Sequence, residues 1–193
     1  MRSSWKFLMI LGIVVLLGGT ARASFISDFQ SIAPDGSNFD YIYNLDFGSN
    51  AGAEELLNGD FVTIYDIVGF VSASAGSSFT VSTQNTGITP PFQAPPDSVS
   101  ITNVTFTYTG APVTVNDAFT GFTIVSSAST TQAGFTSGQD TAVADGMTKL
   151  GDTAGTTVPA AAVAGVPEPA SMLLIGCGLL GVALLRRKGP KLG

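Results

Sequence analysis

In the stretch FDYIYNLDF (residues 39–47), Phe39, Tyr41, Tyr43, Leu45 and Phe47 share one parity and Asp40, Asn44 and Asp46 the other; only Ile42 breaks the alternation. Successive side chains of an extended strand point to opposite faces, whereas a helix would scatter these aromatic residues around its circumference. A chain built on such a segment needs a second layer to cover its apolar face. The period recurs. SFTVSTQ sets Phe79 and Val81 inward against Thr80 and Ser82. In VSITNVTFTYTG, Val99 and Ile101 are in one phase and Val104, Phe106 and Tyr108 in the other, so a β-bulge at Thr102–Asn103 is expected to return all five to the core. VTVNDAFTGFTIV slips again at Thr120–Gly121, where glycine makes a kink least costly. DFVTIYDIVGFV is apolar on both faces except at Asp66 and Gly69 and reads as a central strand entered through an Asn58–Gly59 turn.

Helix signals are sparse. AGAEELLNG predicts one or two turns from Ala53 to Leu57, on which the adjacent acids Glu54 and Glu55 would diverge into solvent. TGITPPFQAPPDS carries four prolines within residues 90–96 and is expected to be an extended loop crossing between sheets. Such loops also carry binding surfaces. The fold class predicted is all-β: a single β-sandwich of jelly-roll or Greek-key type over residues 24–158, followed by a flexible linker at 159–166. The one cysteine, Cys177, lies outside that body, so its stability has to come from apolar burial rather than from disulfides.

Both ends carry apolar segments. Arg2 and Lys6 precede an apolar run from Phe7 to Leu17, Gly18 and Gly19 follow, and Ala21 and Ala23 supply small residues before Ser24. This order is that of a secretory signal peptide over residues 1–23, with cleavage expected between Ala23 and Ser24, and it implies Sec-type export machinery and signal peptidase as partners. At the other end, Ala170 to Leu185 form a second apolar run that reaches about 24 Å as a helix, short of a hydrocarbon core of about 30 Å. Arg186, Arg187 and Lys188 follow it at once and would stay cytoplasmic, leaving the body on the far side.

The charge of the body differs from that of the chain. The full sequence is −6, but between Ser24 and Val166 thirteen acids stand against Lys149 alone, a net of −12. Such a surface repels nucleic acid and anionic lipid, and a nucleic-acid partner is excluded. The chain has no histidine, which excludes a Ser-His-Asp or Cys-His nucleophile and His-ligated zinc. PDGSNFD brings Asp35, Asn38 and Asp40 together; it reads as a plain turn, with Ca²⁺ coordination by these oxygens as the functional alternative. Asn103-Val104-Thr105 matches an N-glycosylation sequon.

Pro167, Glu168 and Pro169, then a short apolar helix, then the basic cluster Arg186, Arg187 and Lys188 resemble the PEP-CTERM sorting domain of Gram-negative bacteria, over residues 167–189, with 190–193 as a tail. The resemblance implies recognition and cleavage of the tail by an exosortase. It also implies a transient inner-membrane anchor, delivery to the cell surface or outside, and a link to exopolysaccharide and biofilm. Independently of it, two prolines flanking Glu168 hold the backbone extended at the membrane face, as a protease requires, and block helix extension upward. The expected role of the body is noncatalytic, structural or adhesive, with a carbohydrate- or calcium-binding module as the alternative. Glu54 and Glu55 form the one carboxylate pair weighed for glycosidase chemistry.

Overall fold

The computed structural model describes residues 24–161, together with residues 177 and 179 of the C-terminal segment. The expected signal peptide with Ala21 and Ala23, and the expected sorting residues Pro167, Glu168, Pro169, Arg186, Arg187 and Lys188, lie outside the described residues. Among the described residues no helix is long and apolar enough to cross a membrane. The chain divides into two units between Ala161 and Ala162.

The body is all-β. Ten strands follow in order: β1 (Ser24–Asp35), β2 (Asn38–Gly48), β3 (Glu54–Glu55), β4 (Phe61–Ile67), β5 (Phe70–Ser74), β6 (Phe79–Gln84), β7 (Thr102–Tyr108), β8 (Asp117–Ser126), β9 (Thr130–Ala142) and β10 (Lys149–Ala160). One sheet has the order β1-β2-β8-β5; the other has β10-β9-β4-β7-β6, with β3 paired to β9. All pairings are antiparallel.

The alternation in β2 puts Tyr41, Tyr43, Leu45 and Phe47 in the core and leaves the intervening residues half-buried. Facing them from the second sheet are Val62, Ile64, Val104, Phe106 and Tyr108, which share one core cluster with Phe25, Phe122 and Ile124. Phe79 sits where the sheets meet, with ring centroids 4.9 Å from Phe122, 5.1 Å from Tyr108 and 6.3 Å from Phe25. The pairs with Phe122 and Tyr108 are edge-to-face, an arrangement that adds about 0.5–1.5 kcal/mol each beyond the area buried. Tyr43 reaches across to donate to the Thr157 carbonyl at 2.8 Å, so the layers are tied by hydrogen bonds as well.

The phase slip in β8 is a bulge: Tyr43 pairs with Phe122 and Leu45 with Phe119, leaving one extra residue at Thr120–Gly121, where Gly121 has φ +86. The slip at Thr102–Asn103 resolves differently. The extra residue lies in the facing strand, between Ile64 and Ile67 of β4, with Asp66 at φ +59, and β7 begins only at Thr102. Val99 is 73% exposed, so the five apolar residues do not all return to the core. The apolar run after Asp60 is likewise two strands, not one. It turns at Gly69 (φ +66), and β5 joins the other sheet. AGAEELLNG is not helical at Glu54: after a single 3₁₀ turn at Asn50–Gly52 the chain extends, and Glu54–Glu55 pair with Ala142 and Thr141 of β9. Hydrogen bonding to a waiting strand outweighs the modest helix propensity of Ala, Glu and Leu. β10 runs through Ala160, two residues beyond the boundary expected at 158.

The proline loop does not cross between the sheets as expected: it joins β6 to its neighbour β7 and covers the outer face of the second sheet. Gln84 donates to Thr105 Oγ1 (2.8 Å), and Thr105 and Thr63 hydroxyls are 2.8 Å apart. Thr63 donates to the Ile88 carbonyl (2.8 Å), so Thr105 is the donor between the two hydroxyls. Tyr65 Oη also reaches Ile88 O (2.9 Å) and is 2.6 Å from Ser137 Oγ. Asn103, fully buried, accepts from the Asp66 amide (2.7 Å) and donates to Asp97 (2.8 Å), whose other oxygen accepts from the Gly87 amide. This explains why β4 looks apolar-compatible on both sides: its outer face is buried by a loop, with polar groups that all find partners. It also consumes the amide of the Asn103 sequon.

Candidate functional site

The turn end of the β9–β10 hairpin brings Asp140, Lys149 and Asp152 together with Glu54 and Asp60. On its outer face stands Asp60, fully buried at the entrance to β4. Its carboxylate accepts from Lys149 Nζ (2.8 Å), from Thr141 Oγ1 (2.9 Å) and from the Leu57 amide (2.8 Å). Lys149 is opposite Thr141 in the ladder, so the only base between Ser24 and Val166 is aimed at Asp60 by register. A buried carboxylate with a charged partner and two further donors is fully compensated.

The inner face is the opposite case. Asp140 alternates with Thr141 and therefore points the other way, toward β1. Glu54 pairs with Ala142 and Asp152 with Gly138, so both are diagonal neighbours of Asp140 on its own face, about 7–8 Å away at the backbone. Asp140 is fully buried and Glu54 3% exposed. Neither Asp140 carboxylate oxygen has a hydrogen-bond partner, nor does Glu54 Oε2, while Glu54 Oε1 accepts from Asn50 Nδ2 at 3.3 Å. Burial first, and then the charges of Glu54, Asp60 and Asp152, push the Asp140 carboxyl up to about 8, with Lys149 opposing. Burial also raises Glu54, against the Asn50 hydrogen bond. Isolated carboxylates are expensive to bury, and a raised pKa is the usual relief.

Beside this cluster, along the edge strand β10, lies a cleft of about 500 Å³ lined by Glu54, Phe92, Gln93, Lys149, Asp152 and Thr153. Gln93 fastens the proline loop to its floor, donating to the Gly151 carbonyl (2.8 Å) and accepting from Thr153 Oγ1 (2.9 Å). The next residue back, Phe92, has φ +62 and a side chain wholly in solvent, 104% exposed. A non-glycine residue held left-handed so that its aromatic ring stands free over a polar cleft is an outlier that merits a functional reading.

The candidate calcium residues sit elsewhere. Asp35 ends β1, Asn38 opens β2 opposite it, and Asp40 follows on β2, across a two-residue Gly36–Ser37 turn with Gly36 at φ +60. They share the solvent face of the first sheet. Among the described residues no three His, Cys, Asp or Glu side chains are grouped to hold a metal. Glu54 and Glu55 do not form a pair: adjacent residues of a strand face opposite ways, and Glu54 joins Asp140 instead. Asp140 and Asp152 carry no local signal in the sequence, because only the pairing of β3, β9 and β10 brings them to Glu54.

Residues 165–188 match the family model of the PEP-CTERM protein-sorting motif. No curated protein and no solved structure gives a significant match to the chain. The motif implies exosortase-dependent sorting to the surface, with exosortase as the processing partner, and export to the cell envelope on a C-terminal membrane anchor.

Proposed function

We propose, taking the C-terminal sorting motif as the premise, that the body is a noncatalytic cargo: a surface or matrix protein with a structural or adhesive role linked to exopolysaccharide and biofilm. The motif at 165–188 is the observation that carries this reading. In it, residues 1–23 are a signal peptide removed after Sec-type export, and the tail beyond Pro167 is cleaved outside the inner membrane. The two facing sheets, with connections that cross between them at β2–β3, β4–β5, β5–β6, β7–β8 and β8–β9, support a sandwich of jelly-roll or Greek-key type. Two observations support a noncatalytic role. The chain lacks histidine, and Asp140, its most strongly perturbed acid, is closed to solvent and hence to any substrate. The test is Glu168→Ala with Pro169→Ala in the native host, read by intact mass of the protein in the medium. Loss of the released, tail-less form is expected; unchanged release sinks the reading.

A second reading, carbohydrate binding, is favoured by Phe92. A free aromatic face beside Gln93, Asp152 and Thr153 suits a sugar, whose C–H face stacks while its hydroxyls hydrogen-bond. Binding to host exopolysaccharide that disappears in Phe92→Ala, with the melting temperature unchanged, is the expected result. Calcium at Asp35, Asn38 and Asp40 predicts a calcium-dependent melting temperature that Asp40→Asn removes.

A further inference from the structure

The unpartnered carboxylate of Asp140 calls for a cation, and the course of β1 identifies one. Phe25 crosses β9 so closely that a Cβ on Gly138 would stand 1.4 Å from its carbonyl oxygen. Two residues further along β1, Ser27 Oγ is 3.4 Å from Thr156 Oγ1, and Thr156 pairs with Gly134. Going back from Ser27 to Phe25, β1 therefore crosses obliquely from Thr156 of β10 to Gly138 of β9, toward the end of the sheet that holds Asp140. Continued in that direction, the next residue back, Ser24, comes about 3.3 Å nearer to Asp140, which lies about 6–7 Å beyond Gly138 on the same face.

We propose that the α-ammonium group of Ser24, created by removal of residues 1–23, docks on the buried carboxylate of Asp140. The inference rests on the signal-peptide reading and goes beyond it. Hydrolysis of the Ala23–Ser24 bond consumes one water, leaves the carboxylate on Ala23 of the leader, and gives Ser24 an amine that takes up a proton. Before cleavage the same nitrogen is a neutral amide, and Asp140 is left among like charges: Glu54 from β3, Asp60 from the approach to β4, and Asp152 from β10. Lys149, the one base near this group, lies on the opposite face of the sheet and is committed to Asp60 at 2.8 Å. A single charge answers this geometry better than a divalent ion does, since the described residues offer no three grouped ligands for a metal. Export processing thus completes the fold: the cut that frees the body from its leader also supplies the counter-ion its inner acid lacks.

The test uses the protein recovered from its own cells after export, its first residue read by N-terminal mass analysis. Trace acylation at neutral pH then compares Ser24 in the native and urea-unfolded protein. The α-amine is expected to react at least about tenfold more slowly in the native protein, and Asp140→Asn is expected to remove that protection while the far-ultraviolet spectrum stays unchanged. Should the variant not fold, the wild-type ratio decides alone. Equal reactivity in both states overturns the proposal, as does protection that survives Asp140→Asn. A chain beginning at another residue overturns it at its premise, leaving the sorting reading intact. A free Ser24 amine in a protein that calcium stabilises by several degrees would assign the carboxylate to a metal instead.

Discussion

Asp60 and Asp140 are two fully buried aspartates at one end of the same sheet, and they differ in everything but burial. Asp60 faces outward and holds Lys149, Thr141 and the Leu57 amide. Asp140 faces inward, holds nothing, and has acidic neighbours. The body contains one lysine, and strand register gives it to the outer acid. Burial alone therefore says little about what a charge costs; the donors that the ladder brings to it decide.

The comparison breaks most visibly with pH. In a chain that still carries residues before Ser24, Asp140 titrates near 8 when folded and near 3.8 when unfolded. The folded state then keeps a proton that the unfolded chain releases, so this group's contribution is full below about pH 4 and is lost as pH rises through 8. Each unit of that window is worth about 1.4 kcal/mol, on the order of 5 kcal/mol in all. Asp140→Asn is expected to flatten the slope, and a free Ser24 to reduce it; urea melts across the window measure both. Asp60→Ala comes next, at about 3 kcal/mol, because it removes the partner of the half-buried Lys149, of Thr141 and of the Leu57 amide. A loss below about 1 kcal/mol in the unfolding free energy from urea melts would show that the outer acid is no better compensated than the inner one.

Gly138→Ala tests the approach of β1. Its Cβ cannot coexist with the Phe25 carbonyl, and backbone must move, at about 3 kcal/mol. In the mature protein it should also expose Ser24 to acylation. The smallest effect is expected at Gln93→Ala, which removes two hydrogen bonds between the proline loop and β10, about 1 kcal/mol each at most. Faster proteolysis of the loop, with the midpoint little changed, is the expected readout.

Much of the fold was legible. Period two in FDYIYNLDF, the kink at Thr120–Gly121 and the Gly/Asn turns are local consequences of side chains alternating on an extended backbone, and the structure reproduces them. Glu54–Glu55 departs from the expected helix because local propensity in AGAEELL competes with the free edge of β9, which offers hydrogen bonds that no local rule records. The bulge expected near Asn103 is present but lies in the partner strand, β4. A phase slip shows that one strand of a pair has an extra residue, and the partner decides which.

The amino-acid sequence by itself determined the strand-forming period, the acidic and histidine-free character of the body, and the sorting motif at its end, since each depends on residues adjacent in the chain. Only the tertiary structure decided that Glu54, Asp140 and Asp152 share a face, that Lys149 belongs to Asp60, and that β1 crosses β9 at Gly138, two residues from the acid left over. These are matters of register between strands as many as 98 positions apart, from Glu54 to Asp152, and register is set by the closing of the whole sheet rather than by any segment within it.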